Sequence, residues 1–571
     1  MKKRFVVLML AFVFAMTAFA GCGGNKGNGV LINIMNTGGG IGRAWLDEAI
    51  ERYTQENPHV AFNVSNSIQT GVATMASSTD NIYFTEDDGT VAELAAEGKL
   101  LCIDDIVTEK SQIRDGQNIS IEDKIDAAYR DSLKFDDKYY ALPHFVYFTG
   151  LTYDADLFDG KYFDSNKLYY IADYDLPDSD VVIKNKSFGE VRFVKDETTK
   201  KSVGPDGLPN TDDDGLPCNL IEFLALCEYM KESKTPFELT GKSNHYISYL
   251  IRGLWVSLSG YDVMSRTYSY DGEMEVVKRG DDDKFIYTEE NLFPGIDYIK
   301  KPVTEIVTLT EQTGYKAYDN VNRYYAAAVV EILVREKYIS TDASDNGITN
   351  IDAQSYFVNG VNEQFNYGML IEGNYWYNEA VDNGLFKEYD KHNPGSPRRI
   401  KWLPLPTSFD TKITSEENKK EYALMDACGN SYAFVNANIM QEPELAEECK
   451  KFLQFLYTDA ELSHFVGRTG VKKAALSFPI LQEDKNKLSD FQNSVMSIAE
   501  KAKVIYSSGS NKTFRAHADQ LYVNGGCSVL KPTAHGNYYD SIAKLNSTTK
   551  AIFEVTRFTK TNWEQNIYEN S

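Results

Sequence analysis

The chain has 571 residues with 59 basic and 83 acidic side chains, a formal charge of −24. Such a balance repels nucleic-acid phosphates and anionic lipid headgroups, so nucleic acid is excluded as a partner. A chain this long exceeds what one compact core usually holds, so at least two lobes are expected.

Lys2, Lys3 and Arg4 head an apolar run from Phe5 to Ala20, broken only by Thr17. This is a secretory signal layout, shorter than the roughly 20 residues that span a bilayer. Ala20, Gly21 and Cys22 resemble a bacterial lipobox. The resemblance implies that residues 1–21 are a lipoprotein signal peptide, with lipid on Cys22; the alternative is an ordinary signal peptide with an incidental cysteine. Removing the segment takes its three basic side chains and leaves −27. Residues 22–29 are rich in glycine, which buries nothing and costs entropy to order, so they read as a flexible tether. The other cysteines, Cys102, Cys218, Cys227, Cys428, Cys449 and Cys527, show no CxxC cluster and are expected as buried thiols.

Along the mature chain, "VLINIMN" (30–36) predicts a buried strand, "TGGGIG" a tight loop, and "RAWLDEAIERYTQENP" a helix. Leu46, Ala49, Ile50 and Tyr53 mark its apolar face, and Pro58 stops it. "VAFNVSN" returns as a strand, completing an α/β unit whose helix start faces a ligand crevice. The glycine loop fails the dinucleotide fingerprint, because Arg43 stands at its third required position. It reads instead as a close backbone approach or an amide-lined cleft rim. Further on come a strand, an acidic loop and a short helix with a turn at Gly98, then a hairpin about Asp136 and Asp137 and a second apolar strand. Residues 159–218 are polar, and 260–291 suggest an inserted hairpin about Gly280 and Asp281. Pro443 opens a late helix whose core stripe is Leu445, Cys449, Phe452, Leu453 and Leu456.

Four segments, in this order, resemble the family 1 extracellular solute-binding proteins, the maltodextrin-binding-like receptors of ABC importers. They are "MNTGGGIGRAWLDEAIERYTQENPHV", "DDKYYALPHFVYFTGLTYDADLF", "NYGMLIEGNYWYNEA" and "KWLPLP" coupled to "KKFLQFLYT". The resemblance implies an α/β fold of two lobes like the periplasmic binding proteins, with a ligand cleft between them and several hinge crossovers. One lobe is placed at 29–142 plus 402–475 and the other at 143–401 plus 476–571. It implies a monomeric receptor, lipid-anchored on the outer face of the cell membrane, that hands its cargo to ABC permease subunits. The length and polar insertions are more similar to the large oligosaccharide-binding members, including the alginate-binding type.

"GPDGLPNTDDDGLPCNLIEF" has an EF-hand-like spacing. Asn210, Asp212 and Asp214 fall at positions one, three and five, Gly215 at six and the Leu216 carbonyl at seven, with Glu222 one residue past the twelfth. Calcium favours such hard oxygens and a glycine at the turn. The alternative is a solvated acidic turn, with Asn219 and Glu222 as a capping box for the helix that follows.

Sugars are held by aromatic faces and by planar polar groups at strand ends and helix starts. The first lobe offers Arg43, Trp45, Glu86 and Asp87; the second offers His144, Tyr147, Trp255, Tyr375, Trp376 and Tyr377. By the resemblance, Trp376 matches the tryptophan of the family's G-x-W element. Each candidate has a plain structural reading beside it: core tryptophan, satisfied histidine or turn aspartate. No HExxH, GxSxG or Walker loop occurs, so an enzyme is not expected. The rival readings are a surface glycan-binding adhesin and a glycoside hydrolase using paired carboxylates.

Overall fold

The structure is a computed structural model that describes residues 29–66, 78–85, 91–159, 168–195, 198–243, 246–360, 366–413, 422–426 and 431–506. Beyond these it describes 513, 517, 538–544, 549, 550, 553 and 558–569. The signal segment, Cys22, Glu86, Asp87, Cys428 and Cys527 lie outside the described residues.

The elements that frame the molecule begin with β1 (Val30–Asn36), α1 (Ala44–Glu56), β2 (Val60–Asn66), β3 (Ile82–Phe84) and β4 (Ala141–Pro143). Next come β5 (Thr149–Asp154), α2 (Leu220–Met230), β6 (Thr235–Glu238), α3 (Tyr246–Ser269), α4 (Asn350–Asn359), β7 (Tyr367–Gly373), α5 (Trp376–Asp382) and β8 (Ile400–Leu403). Then follow β9 (Ala423–Met425), β10 (Tyr432–Val435), α6 (Pro443–Leu456), α7 (Asp459–Thr469), α8 (Asp490–Lys501) and β11 (Lys503–Ile505).

Two sheets organise two α/β lobes. In the first, the order is β2-β1-β3-β10-β4. β1 pairs in parallel with β2 (Val30 opposite Val60) and with β3 (Ile34 opposite Ile82), while β10 runs antiparallel to both β3 and β4. Ile32 and Ile34 are fully buried because α1 and α6 cover the sheet with Leu46, Ala49, Tyr53, Cys449, Phe452 and Leu453. In the second lobe the order is β6-β7-β5-β8, with β6 and β7 parallel and β5 antiparallel to β7 and β8. Its core joins Leu151, Phe223, Leu224, Phe237, Leu254, Trp255 and Met369. A smaller cluster on α4, α5 and α8 surrounds Trp376.

The chain crosses from the first lobe to the second at residues 144–148, between β4 and β5. Here the His144 N–H donates to the Ser431 carbonyl (3.0 Å) and the Val146 N–H to the Lys472 carbonyl (3.0 Å). Residues 475–477 stay with the first lobe: the Asp126 N–H donates to the Ala475 carbonyl and the Ser477 N–H to the Lys124 carbonyl. Between the crossing and α8 lies a cavity of about 110 Å³, lined among others by Val146, Phe148, Asn374, Lys472 and Tyr506. Loose packing at this place suits a hinge, since close-packed interiors resist small displacements.

Three boundaries differ from those expected. Residues 402–413 and 422–425 pack with the second lobe: β8 pairs with β5, β9 pairs with β11, and Leu403, Leu405, Ala423 and Met425 join its core. The chain is back in the first lobe's sheet at β10. α3 is interrupted at Gly260, whose φ +74° and ψ 173° are not helical, and a second helical stretch runs on to Ser269 where a hairpin was expected to begin. The chain does turn at Gly280, whose N–H donates to the Lys284 carbonyl, but the strands beside that turn pair elsewhere: 272–277 with 304–309 and 287–293 with 296–302. The hairpin at Asp136 and Asp137 is present, both at positive φ, and Asn219 caps α2 by accepting the Glu222 N–H (2.9 Å). Cys218, Cys227 and Cys449 are buried free thiols, and Cys102 is a half-buried one.

Candidate functional site

In open α/β sheets the ligand crevice lies beyond the carboxyl ends of the strands. For the first lobe that means the glycine loop after β1; for the second it means the residues after β7. The structure presses these two against each other. Gly40 and Gly42 both take φ +69°, a conformation that favours glycine. A Cβ on Gly40 would stand 2.2 Å from Cδ2 of Tyr375, and one on Gly373 would stand 2.3 Å from Cε1 of the same ring. The Tyr375 ring is thus wedged between a glycine of each lobe. The requirement for glycine at position 40 is close approach by an aromatic ring from the opposite lobe.

Tyr375 is held from three further sides. Its ring meets Tyr147 edge to face (4.7 Å), and its hydroxyl lies 2.9 Å from the Tyr246 hydroxyl at the start of α3. The preceding Asn374 exchanges two bonds with the outgoing crossing at Phe148, each 2.9 Å. One turn on, the Asn378 amide donates to the Thr469 carbonyl at the end of α7 (2.5 Å), a carbonyl that also accepts from Gln492 (3.2 Å). The segment Gly373–Asn378 is therefore the junction at which the second lobe grips the first.

Behind Tyr375 and Tyr246 lies a buried polar array. Nε2 of Gln354 donates to Glu372 (3.1 Å) and to Glu379 (2.8 Å), and the Gly373 N–H donates to Glu372 (3.0 Å). Asn350 also donates to Glu379 (3.3 Å). Burial, and then the neighbouring Glu379 charge, pushes the Glu372 carboxyl up to about 8; burial raises Glu379 as well. Sequence reading missed this pair, although an acid closing the apolar run "GMLIE" is a visible signal.

The remaining sequence candidates separate. Trp376 is fully buried, its indole N–H donating to Thr152 (3.0 Å) and its ring packed on Phe357 and Phe491. Because α5 begins at Trp376, successive side chains turn by about 100° and not by the 180° of an extended chain. Tyr375 therefore faces the opposite lobe, Trp376 the core, and Tyr377 stacks on Phe491 (5.5 Å). Counted from Gly373, the aromatic two positions on is Tyr375. Trp255 is a core residue whose N–H donates to Asn320 (3.0 Å). Arg43 lies at the rim, paired with Asp47 (2.9 Å) and donating to the Val64 carbonyl.

Trp45 and His144 come together, but inside the hinge. Nδ1 of His144 is 3.0 Å from Nζ of Lys473, and both side chains are buried. Trp45, Phe84, Tyr457 and Phe465 surround the lysine nitrogen at 4.3–5.8 Å from their ring centres. Burial, with the lysine nearby, holds His144 well below its usual range, and burial lowers Lys473 too. The aromatic faces offset part of the cost of burying an ammonium.

The five oxygen donors expected of the acidic loop do not converge. Asp212 points to Lys401 (3.3 Å), and Asp214 accepts the N–H groups of Asn210 (2.8 Å) and Thr211 (3.3 Å). Glu222 accepts the Cys218 N–H (2.8 Å) at the start of α2, so it caps the helix and does not turn back toward Asn210 or the Leu216 carbonyl. Three carboxylates meet at the Thr211 hydroxyl, which lies 3.3 Å from Asp206, 2.6 Å from Asp213 and 3.4 Å from Asp214. Asp213 also accepts the Asp206 N–H (2.9 Å), and Asp206 pairs with Lys501 (2.6 Å).

Among the described residues, no helix is long and apolar enough to cross a membrane. No family model matches the chain, and no curated protein matches it. Among solved structures, the GacH receptor of Streptomyces glaucescens, solved unliganded and with acarbose, is similar at 12% identity over 92% of this chain and 99% of that one, with TM-score 0.46. A chitin oligosaccharide binding protein is similar at 14% identity over 92% and 100%, with TM-score 0.49. The SBP RafE in complex with raffinose is similar at 13% identity over 92% and 99%, with TM-score 0.46. Likeness at this level places no ligand contact on this chain, and the fold described above stands on its own strand order.

Proposed function

We propose that this chain is an extracytoplasmic solute-binding receptor that captures a carbohydrate between its two lobes and delivers it to the permease of an ABC importer. The observation that carries the reading is the meeting of Gly40 and Tyr375, which joins the carboxyl ends of β1 and β7 across two separately cored lobes. A hinge where the chain passes from one lobe to the other lets a ligand that touches both shift the open and closed populations by its difference in affinity for them. Tyr147, Tyr246 and Tyr375 supply rings and hydroxyls of the kind sugars use, and lipid on Cys22 would hold the receptor beside its permease.

The test is a thermal melt of the full chain against oligosaccharides, monosaccharides and peptides. A ligand at about a hundred times its dissociation constant should add roughly 2.7 kcal/mol to stability. A shift confined to peptides would overturn the carbohydrate assignment. Release of reducing ends from a glycan by the pure protein would replace the receptor reading with a hydrolase.

A further inference from the structure

The cavity of about 110 Å³ beside the crossing at 144–148 is separate from the contact between Gly40 and Tyr375. Tyr147 meets Tyr375, while its neighbours Val146 and Phe148 line the cavity, and Gly40, Tyr246 and Tyr375 do not. Both lobes build it: Leu476 belongs to the core of the first, and Val495 on α8 to the cluster around Trp376 in the second.

The polar side chains that line this cavity are left with hydrogens to donate and no acceptor for them. Asn374 is only 5% exposed; its Oδ1 accepts the Phe148 N–H (2.9 Å), which fixes the amide orientation, and its NH₂ has no partner among the described residues. The Tyr506 oxygen accepts the Ala475 N–H (3.0 Å), and its own hydrogen has no acceptor there. Lys472 is half-buried, and among the described residues no carboxylate pairs with it; Glu500 acts on it only through space. Lys473 lines the same cavity with its ammonium turned to His144 (3.0 Å). Two lysines and no acid therefore meet walls that are otherwise apolar. Burial lowers the Lys472 ammonium, a cost that an anion beside it would offset.

We propose that this cavity is a second binding site, for a short-chain monocarboxylate of acetate or propionate size, with its carboxylate on Lys472, Asn374 and Tyr506 and its alkyl end against Val146, Phe148 and Val495. The inference stands apart from the receptor reading and uses none of the rings proposed to meet the sugar. A carboxylate is an acceptor-only group, which matches a lining that has only donors to give, and bonds of this charge-assisted kind are the strong ones. Size sets the length of the chain. An apolar cavity of about 150 Å³ holds benzene, so one of about 110 Å³ takes roughly four or five non-hydrogen atoms. A fully hydrated oxyanion such as phosphate would lose water to apolar walls that return no hydrogen bonds.

The experiment is calorimetric titration of the full chain with sodium propionate, with its neutral counterpart propionamide and with inorganic phosphate, all at one ionic strength. Propionate should bind saturably, and the other two about ten-fold more weakly or worse, as loss of a charge-assisted bond or of apolar contact requires. Lys472→Met should weaken propionate by a similar factor, and Ala499→Leu, which adds bulk to the cavity wall on α8, should abolish its binding. Absence of propionate binding, binding no tighter than that of propionamide or phosphate, or unchanged binding in both folded variants would each overturn the inference. Should neither variant fold, the comparison of the three ligands on the unmodified chain decides. The receptor reading is tested by saccharides and stands or falls separately.

Discussion

The two lobes differ in which carboxyls and bases burial drives toward the neutral form. In the first, at its hinge side, these are bases: Lys473 and His144 against four aromatic rings, and Lys124 beside Asp459 (2.7 Å). In the second they are mostly acids. Glu222 is pushed up to about 7, Glu238 and Glu372 to about 8, and Asp213 to about 6, in each case first by burial. Lys234, pushed down to about 8, is an exception within the second lobe. The difference teaches that the two halves of one chain should answer pH in opposite directions. A buried acid binds its proton more tightly folded than unfolded, so its contribution is present below the unfolded value near 4.5 and is lost as pH rises toward 7 or 8. His144 is the reverse: the unfolded imidazole takes a proton below about 6.5 that the folded one refuses, so stability falls as pH drops.

The sharpest way to break this comparison is at the cores themselves. Trp376→Ala removes a fully buried ring from the second lobe and should cost about 3–5 kcal/mol in a denaturant melt. Any protein that still folds should bind ligand nearly as before; a loss of affinity without loss of stability would return Trp376 to the ligand. Next in size is Glu222→Gln, which removes a raised carboxyl whose shift to about 7 corresponds to roughly 3 kcal/mol at most. It should stabilise the protein at pH 8 and do little at pH 4, read from melts at the two pH values. His144→Gln should relieve the opposite loss, raising the melting temperature at pH 5 relative to pH 8.

Gly40→Ala addresses the contact that joins the lobes. The added Cβ collides with Tyr375, and a non-glycine residue at positive φ costs about 1–2 kcal/mol. Ligand affinity should fall about ten-fold or more, which is about 1.4 kcal/mol, while calorimetry shows little change in the unfolding enthalpy of either lobe. The smallest effect concerns the acidic loop. Lys501 sits on Asp206, and Lys501→Met should lower stability by no more than about 1 kcal/mol. A melt lowered by a calcium chelator would place the ion in the loop.

Much of the first lobe is legible in the sequence. Val30–Asn36, Val60–Asn66 and the intervening helix keep clean periodicities because β1 alternates buried Val30, Ile32 and Ile34 with the more exposed Leu31 and Asn33, and the helix buries one face. The second lobe is less so. Gly260 does interrupt the helix, at φ +74° and ψ 173°, but a second helical stretch follows to Ser269 where the sequence suggested a hairpin. The pairing of β8 with β5 is a contact between residues distant in sequence, which no local pattern announces, so the boundary at 402 is displaced. At the site, the glycine loop and the aromatic run 375–377 are both visible, but which ring faces the cleft depends on whether the chain there is extended or helical. That single choice exchanges Tyr375 for Trp376. The Glu372–Gln354–Glu379 array escapes local reading because its members come from β7, α4 and α5.

The most direct test of the central claim is small-angle scattering of the full chain with and without its saccharide, beside the Tyr375→Ala variant. The account predicts that ligand reduces the radius of gyration of the unmodified chain, as the lobes settle into the closed arrangement with Tyr375 against Gly40, and that the variant responds weakly or not at all. Tight binding with no change in either protein, or the same contraction in both, would contradict closure on Tyr375 as the basis of capture.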